Sequence, residues 1–160
     1  MRALAINMNI TILSPDSEDL PIIAKWLFEE WGHLTVGRTL SDTIDKLKIS
    51  PTNRGFETTF VAKENGFPVG VCRLTKSDMS SEEELSPWLA SVFVPLDNRN
   101  KNIGRKLCAY CEKYAFSKGH EKLYLFTPDK SNFYLHMNWQ ILEDVNYRNQ
   151  DVTIMFKSGC

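Results

Sequence analysis

The segment from Val94 to Lys106, VPLDNRNKNIGRK, constrains the fold of this chain more than any other stretch. It carries four basic residues, three asparagines and one glycine between an apolar run, WLASVFV (88–94), and a helix-like stretch, LCAYCEKYAF (107–116). A solvated connection does not need so many positive charges and turn-forming residues. The free amides and the positive dipole end of a helix N-terminus together form an anion site. This segment, the basic loop, therefore predicts a strand–loop–helix unit that holds a phosphate group.

Composition makes any such anion site a local feature. The chain has 160 residues and a net charge of -1, from 19 basic and 20 acidic residues. A general nucleic-acid-binding protein is normally basic, so we expect no nucleic-acid partner. Hydrophobic residues make up 42% and charged residues 24%, which allows a real core. The length predicts a single domain over residues 1–160.

The sequence shows neither a membrane span nor a metal-binding pattern. No segment reaches the ~18 uninterrupted apolar residues that a span needs. Polar Asn7, Asn9 and Thr11 interrupt the N-terminal apolar stretch, so we expect no signal peptide and a soluble, cytoplasmic protein. Cys108 and Cys111 form a CxxC inside a predicted helix, with no second pair to complete a zinc site. We interpret them as small apolar helix residues.

Hydrophobic periodicity predicts the element order β, α, α, β, β, β, α, β, α, β, β. The predicted strands are 8–13, 56–64, 68–76, 88–94, 122–127, 140–147 and 151–157. The predicted helices are one that follows 15–17 and ends at Gly32, one over 41–48 capped by Ser41, one over 104–118, and a short one over 131–138. Asn65-Gly66 indicates a hairpin, and 77–86 is predicted to be a polar loop. The result is a mixed α/β domain with a mostly antiparallel twisted sheet and one parallel βαβ unit that contains the basic loop.

The motifs of two common phosphate-binding folds are absent from the sequence. There is no GxxxxGK[ST] for a nucleoside-triphosphate loop and no GxGxxG for a dinucleotide fold.

The basic loop instead resembles a motif of the GNAT superfamily of acyl-CoA-dependent N-acetyltransferases. That motif is a strand, then V-x-P, then R/Q-x-x-G-x-G/A at the start of a helix. In this sequence the corresponding residues are Val94, Pro95, Arg99, Asn102 and Gly104. The second motif of the family is a strand ending near Thr, followed by F-Y-x-x-x-G-[FW]. In this sequence the corresponding residues are Thr127, Phe133, Tyr134, Asn138 and Trp139. The specific resemblance covers residues 84–157, and the element order extends it loosely to the whole chain.

Two residues depart from the family pattern. Asn102 and Asn138 stand where the family usually has glycine. Asparagine tolerates positive φ better than other residues with a side chain. We therefore expect both positions to keep the family's backbone.

The resemblance implies acetyl-CoA as the acyl donor and a GNAT-like fold with a splayed strand pair. The pyrophosphate would lie on the amides of 99–104 with Arg105 close by, and the pantetheine arm beside 92–94. Backbone groups of Phe93 and Val94 would hold the arm, and a backbone N–H would polarise the thioester carbonyl. Asn132 could hydrogen-bond the cofactor or act as a polar helix cap. The implied cofactor-binding residues are Val92, Phe93, Val94, Arg99, Asn100, Lys101, Asn102, Ile103, Gly104, Arg105 and Asn132.

The resemblance also implies direct attack by an amine on the thioester. Tyr134 lies at the family's general-acid position, where it would protonate the departing thiolate; taken alone, it could equally be an aromatic core residue. The candidates for the general base are Asp78, Glu82, Glu83 and Glu84, and Glu84 is nearest the strand. The same residues could be a solvated loop or could attract a cationic amine.

Other readings of the sequence stay open. A non-catalytic acyl-CoA sensor would keep the basic loop without needing Tyr134, and an interaction domain would use the loop for another phosphate or an acidic peptide. For an enzyme, the acidic loop favours a small-molecule amine acceptor over a protein. The fold allows a monomer or a homodimer, and no metal is expected.

Overall fold

The computed structural model describes residues 8–48 and 57–159. The strands are β1 Met8–Ile12, β2 Thr58–Glu64, β3 Phe67–Thr75, β4 Trp88–Phe93, β5 Lys122–Thr127, β6 Gln140–Tyr147 and β7 Gln150–Ser158. The helices are α1 Leu20–Trp31, α2 Leu40–Leu47, α3 Ile103–Ser117 and α4 Ser131–Leu135, with short 3-10 turns at Gly32–Leu34 and Leu96–Asn98. The predicted element order is confirmed, although the predicted start of the second strand at residue 56 lies outside the described residues.

Helix boundaries differ from the predicted ones where a cap decides them. α2 begins one residue earlier than predicted and is capped by Thr39 instead of Ser41: the Thr39 hydroxyl accepts from the Asp42 amide at 3.2 Å, and the Asp42 carboxylate accepts from the Thr39 amide at 2.8 Å. This reciprocal capping box satisfies two otherwise unpaired donors. α1 begins after Asp19, later than the predicted cap region at 15–17.

The seven strands form one sheet in the order β1-β2-β3-β4-β5-β7-β6. Every neighbouring pair is antiparallel except β4 and β5, which are parallel. The predicted hairpin is confirmed: Glu64 pairs with Phe67, and Asn65 and Gly66 both have positive φ. The α/β fold with one parallel crossover through α3 therefore matches the fold expected from the sequence.

The parallel pair in the centre of the sheet is splayed. Among the described residues, β4 and β5 pair only at Trp88 and Tyr124. Farther along β4, Ser91 and Val92 lie opposite a single residue of β3, and Ser91 has φ 55°. Such a bulge bends its strand. The second half of β4 thus faces a gap in the sheet instead of β5.

α3 packs on one face of this sheet. Its buried residues Leu107, Cys108 and Cys111 join residues of β2, β3, β5 and β7 in the main core. Gly70 of β3 permits the close approach of the helix start, since a Cβ there would lie 2.8 Å from Ile103 Cγ2 and 2.9 Å from Leu107 Cδ1. β3, the strand before β4, and the N-terminus of α3 are therefore packed directly against each other.

Two separate clusters cover the opposite face. α1 and α2 pack over β2 and β3, with Ile23, Val61 and Val71 fully buried. Over β5 and β7, Met79 packs with Trp88 and Ile154. The segment 77–86 is therefore not simply a polar loop, because Met79 anchors it in the core.

Candidate functional site

The basic loop ends in a helix N-terminus whose donors are free of side-chain caps. Asn100 and Asn102 both have φ 64°, and Asn102 is the N-cap residue without a side-chain cap. The bond from the Lys106 amide to the Asn102 carbonyl, at 3.0 Å, closes the first turn. The amides of 103–105 come before this bond and are donors without a partner within the helix. The prediction of a positive φ at Asn102 is confirmed.

These amides border a cleft of about 530 Å³. The cleft is lined by Val94, Asn98, Arg99, Asn100, Asn102, Ile103, Gly104, Arg105, Phe133 and His136. Seven of these residues are among the cofactor-binding residues expected from the sequence. The other three are Asn98, which ends the 3-10 turn within the basic loop, and Phe133 and His136, whose place in the lining depends on how α4 packs beside α3.

Two arginines place their charge at the rim of the cleft. Arg99 Nε donates to the Val94 carbonyl at 2.9 Å, and Arg105 Nη2 donates to the His136 carbonyl at 3.2 Å. A guanidinium has five N–H donors, so these single bonds orient each side chain and leave donors for an anion. With the α3 dipole, the arrangement suits a di-anionic phosphate group.

Four of the expected cofactor-binding residues do not line the cleft. Val92 packs against the core beneath α3, and the Phe93 ring lies 5.9 Å from that of Trp26 on the opposite face. Their side chains therefore pack in the hydrophobic clusters on either side of the sheet and not in the cleft. Lys101 and Asn132 are exposed; Asn132 lies inside α4, whose cap is Lys130, so it is not the helix cap.

Tyr134 lies in α4 with only 8% of its surface exposed. Its ring packs against Phe133 and Trp139, with centroid distances of 5.0 and 6.0 Å. Burial raises the pKa of Tyr134 well above its usual value, and the neighbouring thiols of Cys108 and Cys72 raise it further. The phenol is thus mostly buried and keeps its proton at neutral pH. It does not line the cleft, although Phe133 beside it does.

α4 ends in a Schellman motif, which fixes the chain directly after Tyr134. The Trp139 amide donates to the Tyr134 carbonyl at 3.1 Å, and the Asn138 amide donates to the Leu135 carbonyl at 3.0 Å. Asn138 has φ 70°, which confirms the prediction made for this position. The predicted helix over 131–138 is therefore a five-residue helix followed by this turn.

A family model for the acetyltransferase (GNAT) family matches residues 19–137. The chain belongs to the GNAT family. A comparison with curated proteins finds no match.

Solved structures with this fold cover nearly the whole chain. They include yncA from Salmonella typhimurium with its cofactor acetyl-CoA, at 17% identity and a TM-score of 0.71, covering 94% of this chain and 93% of the other. An aminoglycoside 6'-N-acetyltransferase complexed with coenzyme A has 15% identity and a TM-score of 0.73, covering 94% and 96%. The ribosomal-protein-alanine N-acetyltransferase from Brucella melitensis has 20% identity and a TM-score of 0.72, covering 94% and 99%. At these identities the similarity shows the GNAT fold.

The acidic residues that precede β4 in this GNAT domain lie in two environments. Glu83 and Glu84 are exposed. Asp78 is half-buried, and burial raises its pKa to about 6 against the opposing effect of Lys46, Arg73 and Arg148. Asp78 thus has a pKa near neutrality.

Arg73 belongs to the same polar group and was not identified from the sequence. It is 3% exposed, donates from Nε to the Thr59 hydroxyl at 3.0 Å and lies 3.7 Å from the Glu57 carboxylate. Its position in β3 is opposite Ala90, just before the bulge of β4. The only sequence signal was a single charge inside the run PVGVCRLT (68–75).

Two further features are absent from residues 8–48 and 57–159. These residues contain no cluster of three or more His, Cys, Asp or Glu side chains placed to hold a metal ion. None of their helices combines the length and apolar character needed to span a membrane.

Proposed function

We propose that this protein transfers an acetyl group from acetyl-CoA to a primary amine. The observation that carries the proposal is the cleft at the N-terminus of α3, which adjoins the splay between β4 and β5. Membership of the GNAT family supports it, as do the acetyl-CoA and coenzyme A bound to the two related folds.

In this proposal the cofactor occupies the cleft and the splay. The pyrophosphate accepts hydrogen bonds from the amides of 103–105 and from Arg99 and Arg105. The pantetheine arm runs beside β4 beyond Ser91, where the strand has left β5 and its backbone groups are available for a new partner. Backbone groups of Phe93 and Val94 hold the arm and stabilise the developing oxyanion.

The chemistry is a single displacement. The amine nitrogen attacks the thioester carbon, the C–N bond forms, the C–S bond breaks and CoA leaves as a thiolate. Tyr134 is the proposed proton donor to that thiolate. Its raised pKa keeps the phenol protonated at neutral pH, so a proton is present when the thiolate forms.

The proposed acceptor is a small cationic amine. The exposed acidic residues Glu83 and Glu84 lie on the segment that leads into β4, and they would attract such a substrate. The aminoglycoside acetyltransferase has the same fold, although the ribosomal-protein enzyme shows that the fold also accepts other acceptors. A cytoplasmic location and a monomer or homodimer remain part of the proposal.

Glu84 is the proposed general base, and Asp78 is the alternative. We expect Glu84→Gln to lower kcat/KM by ~10²–10⁴-fold, since an acid–base group contributes about that much. Asp78→Asn should then stay within a few-fold of wild type. A base must be deprotonated, so a role for Asp78 would make kcat/KM fall as the pH drops through about 6. If kcat/KM of wild type falls below pH about 6 and Asp78→Asn is inactive, the general base is Asp78 and not Glu84.

Thermal unfolding with acetyl-CoA, CoA and pyrophosphate tests the function. Ligand at about 100 times its dissociation constant adds ~2.7 kcal/mol to the free energy of unfolding, a Tm shift of roughly 5–10 °C for a domain of this size. We expect this shift with acetyl-CoA and CoA and little with pyrophosphate. The absence of a shift would refute the proposal. A shift without acetylation of any amine in a panel of polyamines, amino acids and aminoglycosides would indicate a non-catalytic sensor.

A further inference from the structure

α3 carries a buried carboxylate that the proposed reaction does not use. Glu112 is 7% exposed and lies about two and a half turns after the helix start. Its Oε2 accepts from Trp139 Nε1 at 3.2 Å, and its Oε1 pairs with Lys157 Nζ at 2.5 Å. Burying a carboxylate is costly unless it is paired and hydrogen-bonded. Glu112 and Lys157 therefore satisfy each other; we call them the buried pair after the buried carboxylate, since the Lys157 side chain is 24% exposed.

The buried pair holds one turn of the chain from two directions. Glu112 binds the side chain of Trp139, and Lys157 Nζ donates to the Met137 carbonyl at 2.8 Å. Met137 and Trp139 are the residues whose amides donate to the Tyr134 carbonyl, at 2.9 and 3.1 Å. The Trp139 ring also packs against the Tyr134 ring. Each partner of the pair thus lies one residue contact away from Tyr134.

α4 needs such support because it is too short to hold itself. It has five residues, and isolated helices below ~12–15 residues are marginal in water. Glu112 and Lys157 instead belong to α3 and β7, the longest helix and one of the two longest strands among the described residues. α3 also presents the phosphate-binding amides, so one rigid helix fixes the positions of both the cleft and Tyr134.

We propose that the buried pair is a positioning device for Tyr134. This inference rests on the proposed function, in which Tyr134 must lie close to the departing thiolate. A displacement of ~1 Å at a reacting group can lower a rate by about 10²-fold. The pair acts on the turn that follows Tyr134 and does not touch the cleft, so its loss lowers kcat and leaves cofactor binding in place.

A purely structural role of the pair predicts that its removal changes the stability and leaves kcat unchanged. Replacing a buried ion pair by apolar residues of similar volume is often neutral or stabilising, whereas removing one partner alone is strongly destabilising. The double variant Glu112→Leu/Lys157→Met therefore removes the pair without leaving a single buried charge. Glu112→Gln is a second variant that keeps the volume and one acceptor for Trp139; it leaves Lys157 charged, but that side chain is 24% exposed and still donates to the Met137 carbonyl.

The control is an ion pair of the same composition on the surface. Lys25 and Glu29 on α1 lie 3.9 Å apart, with side chains 68% and 62% exposed. Lys25→Met/Glu29→Leu makes the same two chemical changes far from α4. It should keep wild-type kcat.

We expect the buried-pair double variant to lose ~10–100-fold in kcat while KM for acetyl-CoA changes less than about threefold. Its Tm shift with CoA should equal that of wild type. In the Tyr134→Phe background, the same double replacement should cause little further loss of kcat, because the group that it positions is already gone. Glu112→Gln should show the same pattern with a smaller loss.

Three outcomes would overturn the inference. Wild-type kcat in both buried-pair variants would show that the pair does not act on catalysis. An undiminished loss in the Tyr134→Phe background would show that it acts through another group, and a raised KM with a lost CoA shift would show that it supports the cleft. Failure of the proposed function is distinct, since wild type itself would then show no shift with acetyl-CoA or would acetylate no amine.

Discussion

The Tyr134→Phe variant is expected to lose ~10²–10⁴-fold in kcat, the usual contribution of a general acid, and to keep its affinity for acetyl-CoA. The substitution removes one hydroxyl and leaves the ring that packs between Phe133 and Trp139. Without a proton donor, CoA must leave as a free thiolate, which raises the barrier for C–S cleavage. The measurement is steady-state kcat with a saturating amine, together with the Tm shift produced by CoA.

A matched control separates this role from core packing. Tyr114 on α3 also packs its ring in the core, 5.1 Å from that of Phe60, on the same side of the sheet. Tyr114→Phe should keep wild-type kcat.

Because the pKa of Tyr134 is raised, its ionisation should not reduce wild-type activity at or below the usual tyrosine pKa of ~10. Wild-type kcat in Tyr134→Phe across pH 6–9 would leave Tyr134 as a core aromatic residue only.

The arrangement of strands and helices was predictable because each signal is local. Asn65-Gly66 alone predicts the hairpin between β2 and β3, and the register confirms it. Boundaries were less predictable, because caps depend on side-chain geometry. Thr39 outcompetes Ser41 since its partner Asp42 lies three residues on, in capping-box spacing. The turn after α4 keeps the apolar spacing of a helix, so pattern alone extends the helix through it.

The candidate site was predictable where one segment builds it and not where distant segments meet. The basic loop follows from local sequence, as does the positive φ of Asn102 and Asn138. His136 in the cleft lining and Arg73 beside the bulge depend on packing between elements. Glu112 and Lys157 are 45 residues apart in the chain, and no local periodicity connects two such residues. A charged residue on the apolar face of α3 was the only indication of a partner elsewhere.

The second large effect is expected for Gly104→Asp, which should stabilise the fold slightly and strongly weaken cofactor binding. Gly104 lies in the first turn of α3 and lines the cleft. A carboxylate in the first turn of a helix adds ~0.3–1 kcal/mol of stability through the helix dipole. Replacing glycine in a helix by a residue of higher helix propensity adds further stability. The same carboxylate lies where the pyrophosphate should bind. Juxtaposed like charges cost several kcal/mol, so we expect at least ~100-fold weaker binding.

Gly104→Ala is the matched control for this charge. A Cβ at this position has its nearest neighbours at 3.8 Å, in Val94, and at 3.9 Å, in Phe133, so it fits without displacing either side chain. The alanine variant should gain stability and keep the CoA-induced Tm shift. At a CoA concentration that stabilises wild type by ~2.7 kcal/mol, the aspartate variant should gain ~0.4 kcal/mol or less. Opposite effects on stability and binding cannot come from general unfolding, so they would locate the phosphate at the N-terminus of α3. An undiminished CoA shift in Gly104→Asp would place the phosphate elsewhere and remove the basic loop from the cofactor site.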